Sequence, residues 1–303
     1  MPDCSAGYDA GVSVIRIDNE DDGRLAEFRN VPDAELLIRL GLFVAEGRLV
    51  VARLIGSSLT TRSVLVTETA LTSLAGALTD LSAPVYVVPQ TVMNSVAGFN
   101  FHRGCLALGV RPPARDWREV VVGSAGSAPR DPAYALPALL VALERVNNVD
   151  NVGAIFRNAA AFGVDGVLLQ SECADPLYRK AIRTSMAASL TIPYATAPWP
   201  DTLRELAGGG WATVAMTPAA HAPLLRDVAN TLTDRRVAIV LGHEGEGLTE
   251  AAVTACTHRA RIAMSNGVDS VNVATAAAIA LYEICNGVGG HLKRTPQRGV
   301  LIK

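Results

Sequence analysis

The chain reads as an α/β protein in which a C-terminal domain built on a parallel sheet follows a smaller α/β domain. Three observations carry this. Short apolar runs alternate with stretches of helical periodicity from Pro32 to Cys285, the pattern of strands joined by helices. Two apolar runs between residues 237 and 283 open into loops rich in glycine and polar residues, as strands do where a parallel sheet holds a ligand at its carboxyl edge. Residues 112–134, with Pro112, Pro113, Pro132 and the run Gly-Ser-Ala-Gly-Ser-Ala-Pro, carry turn formers and little periodicity, and read as a linker between the two domains.

Composition sets the bounds. With 303 residues, half of them hydrophobic and 18% charged, the chain can build two packed cores. A formal net charge of −2 excludes a protein that grips nucleic acid mainly by bulk attraction, so any RNA contact must be local. The five cysteines (Cys4, Cys105, Cys173, Cys256 and Cys285) are scattered and form no C-x-x-C pair. That spacing favours reduced, mostly buried thiols in a cytoplasmic protein over a disulfide framework or a zinc site. No uninterrupted apolar run reaches the ~18 residues of a membrane span, and no apolar segment follows a basic flank at the start. A soluble, unexported, cytoplasmic protein without membrane contact is expected.

Taken in order, residues 1–30 are polar and acidic, with Asp18, Glu20, Asp21 and Asp22 close together, and read as a loosely held arm or a short strand over Val14–Ile17. Residues 31–111 form the small α/β domain. The pattern predicts helices near Asp33–Leu40, Gly47–Gly56, Leu71–Leu78 and Gln90–Ala97, and strands at Leu42–Glu46, Ser63–Thr67, Val85–Val88 and Gly104–Val110. Phe101 and His102, ahead of the last strand, have two readings, as stacking platforms for a base or as loop and core residues.

The C-terminal domain spans residues 135–287. A buried strand at Ala138–Leu143 opens into the polar loop Glu144–Asn151, and the helix Val152–Phe162 follows with Gly163 as its stop signal. Further strands are expected at Gly166–Gln170, Thr191–Tyr194, Ala212–Met216 and Val237–Leu241. Arg179, Lys180 and Arg183 lie on a helix after the first of these, either as phosphate contacts or as a solvated face. Residues 288–303 form a basic tail with Lys293, Arg294, Arg298 and Lys303.

The loop Leu241-Gly-His-Glu-Gly-Glu-Gly-Leu248 and the segments Ile262-Ala-Met264 and Asn266–Val273 make the candidate ligand site, where Gly242, Gly245, Gly247 and Gly267 let the backbone approach a ligand. The order G-x-x-G-x-G is not the dinucleotide fingerprint, and no Lys-Ser or Lys-Thr follows as a phosphate-binding loop requires. Three segments together are more specific: Asn151-x-Gly153-x-x-x-Arg157, then Leu241-Gly-x-Glu244-x-x-Gly247-Leu248, then Ile262-x-Met264 with Ser270-x-Asn272-Val273 leading into Leu281-Tyr-Glu283.

In their order and spacing these segments resemble the three motifs of the SpoU/TrmH family of RNA ribose 2′-O-methyltransferases. Phe43-Val-Ala-Glu-Gly47 within residues 42–110 also looks like the small RNA substrate-binding domain that many members carry in front. The resemblance implies a trefoil-knotted α/β domain whose last helix passes through the 241–248 loop, a departure from the rule that chains do not thread. It implies a homodimer through the knotted domain, a tRNA or rRNA substrate with guanosine favoured, and S-adenosyl-L-methionine as cofactor.

Carried over residue by residue, Gly242, Ile262, Met264 and Val271 would contact the cofactor. Arg157, Asn151, Glu244, Ser270 and Asn272 would line the reaction centre. Ala263 stands where the family usually has proline and Val271 where it has leucine. His243 replaces a small or aliphatic residue or asparagine, and reads either as part of an altered substrate pocket or as a partly exposed loop histidine.

The chemistry agrees with that resemblance. A methyl on a cationic sulfur is already activated, so no metal is required, and the sequence offers no metal-ligand cluster. The site must align a ribose oxygen with methyl and sulfur and relieve the hydroxyl of its proton. An arginine with a pKa above ~12 is a poor base, so Arg157 reads as a clamp on a phosphate beside the nucleophile. Glu244 reads as an orienting carboxylate for Arg157 or Asn151. Two rival readings remain: a non-catalytic knotted RNA-binding protein, and a nicotinamide-dependent oxidoreductase using the 242–247 glycines for a pyrophosphate.

Overall fold

A computed structural model of the chain describes residues 13–29, 32–126, 138–232, 235–265 and 270–286. The N-terminal residues 1–12, the later part of the expected linker, residues 266–269 with Gly267, and the basic tail lie outside the described residues. The chain groups into two compact units, one holding residues up to Pro113 together with Asp175–Thr191, the other holding Ala114–Ala174 and the residues from Ile192 onward.

In the first unit a five-stranded mixed sheet runs β1 (Val14–Arg16), β4 (Val85–Val87), β3 (Thr61–Val66), β5 (Cys105–Val110), β2 (Leu42–Glu46). β1 and β3 flank β4 in parallel, whereas β5 is antiparallel to both β3 and β2. The N-terminal stretch therefore takes the strand alternative: β1 is the sheet edge, and Leu25 and Phe28 of the 3-10 turn that follows are buried in the unit's core. Helices α1 (Asp33–Glu35, running into a π-turn over Leu36–Leu40), α2 (Arg48–Ile55), α3 (Glu68–Leu78) and α4 (Gln90–Ala97) stand where periodicity predicts them. Phe101 is a core residue at 2% exposure, which removes it as a stacking platform, while His102 beside it is exposed.

The segment Asp175–Thr191 belongs to this unit, although the sequence reading placed it in the C-terminal domain. Its helix α7 (Arg179–Thr184) packs on β2. The Arg179 backbone N–H donates to Asp33 Oδ2 at 2.8 Å, and Arg183 Nη1 lies 3.6 Å from Glu46 Oε2. Glu46 is buried, and Arg103 Nη1 reaches its other oxygen at 3.2 Å. A carboxylate taken out of water needs such partners. Arg179 and Arg183 are partly buried beside Asp33 and Glu46 and Lys180 is exposed, so the three do not form one fully solvated face.

The second unit is a six-stranded, wholly parallel sheet in the order β11 (His258–Ala260), β9 (Ala212–Met216), β10 (Val237–Leu241), β6 (Leu139–Leu143), β7 (Gly166–Leu169), β8 (Tyr194–Thr196). β6 and β10 are apolar at every position and buried at every position, as strands covered on both faces must be. The stretch read as a linker contains helix α5 (Trp117–Gly126), and its Trp117 and Val120 are buried against the sheet. Val121 packs against the same cluster, and the Gly-Ser-Ala-Gly sequence that follows carries no apolar period to read. Helix α8 (Asp201–Gly208) precedes β9. Two short helices escaped the pattern, α9 (Leu225–Thr231) and α10 (Glu250–Ala255). The last helix, α11 (Val273–Asn286), packs on β10, on α9 and along α6 (Val149–Phe162).

The connections from β6 and β10 leave in opposite directions, β6 toward β7 and β10 toward β11 at the far edge. Their carboxyl ends therefore flank a switch point, the place where parallel α/β sheets open a crevice. Among the described residues no helix is long and apolar enough to cross a membrane.

Candidate active site

The loop after β10 is folded back on itself. His243 N–H donates to Gly247 O at 3.2 Å and Gly247 N–H to His243 O at 2.9 Å. A Cβ on Gly242 would lie 2.4 Å from the Gly247 carbonyl carbon and the Leu248 nitrogen, so the glycine is demanded by the loop's own backbone crossing it. Gly247, at φ +70°, supplies the left-handed turn. His243 Nδ1 accepts from the backbone N–H groups of Gly245 (3.0 Å) and Glu246 (3.2 Å), which places the ring proton on Nε2. The histidine is thus the loop's internal cap as well as part of its cavity wall.

A buried carboxylate closes the loop from the other side of the crevice. Glu144, 2% exposed at the end of β6, accepts from Thr249 N at 2.8 Å and from Thr249 Oγ1 at 2.8 Å. Thr249 in turn caps α10 by accepting from Ala252 N. In the sequence Glu144 is marked only as an acid directly after a buried strand.

The cavity beside this loop measures about 470 Å³, and its walls come from three strand ends. Met216–Ala219 follow β9, Gly242–Leu248 follow β10, and Ile262 and Met264 follow β11, with Ser270, Val271 and Val273 completing it at the start of α11. The Met216–Ala219 wall was not anticipated, because only the strand order makes β9 a neighbour of both β10 and β11. All four residues expected to contact the cofactor, Gly242, Ile262, Met264 and Val271, line this one cavity, as do Glu244 and Ser270.

Asn151, Glu244 and Asn272 form one hydrogen-bonded chain. Asn151 Nδ2 donates to Glu244 Oε1 at 2.5 Å, Asn272 Nδ2 donates to Asn151 Oδ1 at 2.9 Å, and Asn272 Oδ1 accepts from Ala274 N at 2.9 Å. A carboxylate can only accept, so Glu244 fixes which way Asn151 faces, and Asn151 fixes Asn272. That direction leaves the Asn272 oxygen to cap α11. Arg157 stands apart from this chain. It is exposed on α6, is not among the cavity-lining residues, and has no ion pair or hydrogen-bond partner among the described residues.

Fold and site together define an α/β protein with a cavity of small-molecule size in loops at the carboxyl ends of parallel strands, beside an ordered polar cluster. The comparisons sharpen this. Residues 138–282 match the SpoU rRNA Methylase family. An uncharacterized tRNA/rRNA methyltransferase of Mycobacterium bovis is 40% identical over 283 residues, 92% of this chain and 94% of that protein. A crystal structure of an AdoMet-bound rRNA methyltransferase from Sinorhizobium meliloti shares the fold with a TM-score of 0.74 at 22% identity, covering 89% of this chain and 97% of that one. A crystal structure of an RNA 2′-O ribose methyltransferase gives a TM-score of 0.67 at 25% identity, over 89% and 98% of the two chains. The chain belongs to the SpoU family of tRNA/rRNA methyltransferases, a family that uses S-adenosylmethionine.

Proposed function

We propose that this protein methylates a ribose 2′-hydroxyl of tRNA or rRNA, guanosine favoured from the family resemblance, with the cofactor seated in the cavity at the ends of β9, β10 and β11. The observation that carries the reading is the meeting of the Asn151–Glu244–Asn272 chain with that cavity at Glu244. Its volume of about 470 Å³ is that of a small-molecule site. Among its described lining residues are two carboxylates, Glu244 and Glu246, the latter in an ion pair with Arg145 outside the cavity, and neither lysine nor arginine. That balance suits a cationic sulfonium ligand. It opposes the pyrophosphate of a nicotinamide dinucleotide, which would meet like charge.

S-adenosylmethionine, when bound, brings a methyl group on a positively charged sulfur that an oxygen nucleophile can accept. The chain's own residues do the rest. Ile262, Met264 and Val271 shape the apolar wall. Glu244 holds Asn151 by one oxygen, which makes it an orienting residue, and its other oxygen is left to accept from the ribose hydroxyl. Arg157, exposed and without a partner among the described residues, clamps a phosphate next to the target ribose. The first unit acts as the RNA substrate-binding domain. We read the 241–248 loop and α11 as the elements of the family's trefoil knot, and the working form as a cytoplasmic homodimer through the knotted domain.

The test is to incubate in vitro transcribed tRNA and rRNA with the purified chain and methyl-labelled S-adenosylmethionine, digest to nucleosides, and identify the product by mass spectrometry. A 2′-O-methylnucleoside is expected. Label found only on a base would refute the ribose assignment, and no label with intact cofactor binding would refute the enzymatic one.

A further inference from the structure

Arg145 sits directly after Glu144 at the carboxyl end of β6, and three independent features single it out. Its backbone is left-handed at φ +54°, an uncommon and strained state for a residue with a side chain. That backbone is held by its own N–H, which donates to Gln170 Oε1 at 3.1 Å, and by the buried Val146 that follows. Its guanidinium reaches the glycine loop, where Nη1 lies 2.7 Å from Glu246 Oε2. Its Nε is buried and has no hydrogen-bond partner among the described residues.

An arginine placed this way is not explained by stability. The ion pair it makes is weak, because the Glu246 side chain is 68% exposed and such pairs contribute little in water. The orphaned Nε and the left-handed backbone both oppose folding. Strain of this kind at the rim of a site points to use by a ligand. Once Glu246 withdraws and the side chain turns outward, Nη and Nε can together meet an anion that presents two oxygens, which satisfies the guanidinium better than Glu246 does. Glu246 leaves at small cost, since it rehydrates on release.

We propose that Arg145 is a phosphate-binding residue for the substrate RNA, held in waiting by Glu246 and released to a backbone phosphate when RNA arrives. This rests on the reading of the protein as an RNA methyltransferase. The other anion near this site is the cofactor's own carboxylate. The observations favour the phosphate, because Glu246 lines the cavity and Arg145 does not. Arg145 then works beside Arg157 as a positioning residue, the two approaching the substrate from the β6 end and from α6.

The experiment uses the full chain and two titrations. Fluorescent bulk tRNA and bulk rRNA, transcribed without modification, are titrated separately at several salt concentrations, and S-adenosylmethionine is titrated by calorimetry. Arg145→Gly keeps the left-handed backbone without strain, and Arg145→Lys keeps the charge without the fork. The glycine variant is expected to bind RNA more weakly and to lower the slope of log affinity against log salt by about 0.9, the share of one phosphate contact. The lysine variant should restore that slope but not the full affinity. Glu246→Gln removes the competing carboxylate and should tighten RNA binding by roughly two- to fivefold. Cofactor affinity should be unchanged in Arg145→Gly and Arg145→Lys.

Unaltered RNA binding and slope in Arg145→Gly, or weakened cofactor binding in place of weakened RNA binding, would overturn the proposal while leaving the functional reading intact. Failure of the unmodified protein to bind either RNA would overturn both.

Discussion

Asn151 and Glu244 are separated by 93 positions in the chain and joined by a 2.5 Å hydrogen bond at the switch point of the sheet. The bond ties the start of α6 to the folded loop after β10. Because Asn272 donates to the same amide, the start of α11 is tied in as well. Three backbone segments thus share one polar node.

Asn272→Ala removes the cap of α11 and leaves the Asn151 oxygen without its donor. The two losses together should destabilise the protein by roughly 2–4 kcal/mol. Urea unfolding followed by circular dichroism measures this, and calorimetry with S-adenosylmethionine should show weakened binding. A shift below about 0.5 kcal/mol, the range of neutral surface changes, would mean that water replaces both contacts.

Gly242→Ala and Gly245→Ala make a matched pair. The first places a methyl 2.4 Å from backbone atoms that have nowhere to go, whereas the second meets only the edge of the His243 ring at 3.6 Å. Gly242→Ala should open the loop, abolish measurable cofactor binding and lower stability by about 1–3 kcal/mol. Gly245→Ala should stay within about 1 kcal/mol of the parent and bind normally. Equal behaviour of the two variants in thermal-shift and cofactor titrations would contradict the loop's self-packing.

Arg157→Ala should leave stability within about 0.5 kcal/mol, because the side chain is exposed and makes no described contact. Cofactor affinity should be retained, while transfer of labelled methyl to RNA is lost. Near-normal turnover would remove Arg157 from the reaction centre.

Burial pushes the thiols of Cys105 and Cys173 up to about 11 and that of Cys256 up to about 12. A raised value means less thiolate, so at pH 8 about one molecule in a thousand or fewer carries the reactive form at any of these sites. Alkylation by iodoacetamide should be slow in the native protein and rise with pH, and it should become fast in urea, where the thiols return to about 8.5. Fast labelling of Cys256 in the native state would show that its strand-edge environment opens.

Much of the architecture could be read along the chain. β6 and β10 are uninterrupted apolar runs, and each was located to within one residue because full burial on both faces admits little else. The helices with regular apolar spacing were equally legible. What escaped were α5, hidden in a stretch of turn formers, and α9 and α10, which are seven and six residues long and thus shorter than the window a helical period needs. Asp175–Thr191 was misplaced for a different reason, since its partners Asp33 and Glu46 lie far back in the sequence.

Glycine order, apolar periodicity and residue spacing are properties of neighbours in sequence, and they sufficed to mark the strand-end loops, whereas Asn151, Glu244, Asn272 and the cavity residues became candidates through the resemblance of three motifs to the SpoU/TrmH family. Strand order is not such a property. It brings β6 next to β10, and β9 next to both β10 and β11, so the Met216–Ala219 wall, the Glu144 staple on Thr249 and the single direction of the amide chain exist only once the sheet is assembled. Hydrogen bonds of that kind depend on which donors and acceptors are brought within about 3 Å, a distance that no local propensity encodes.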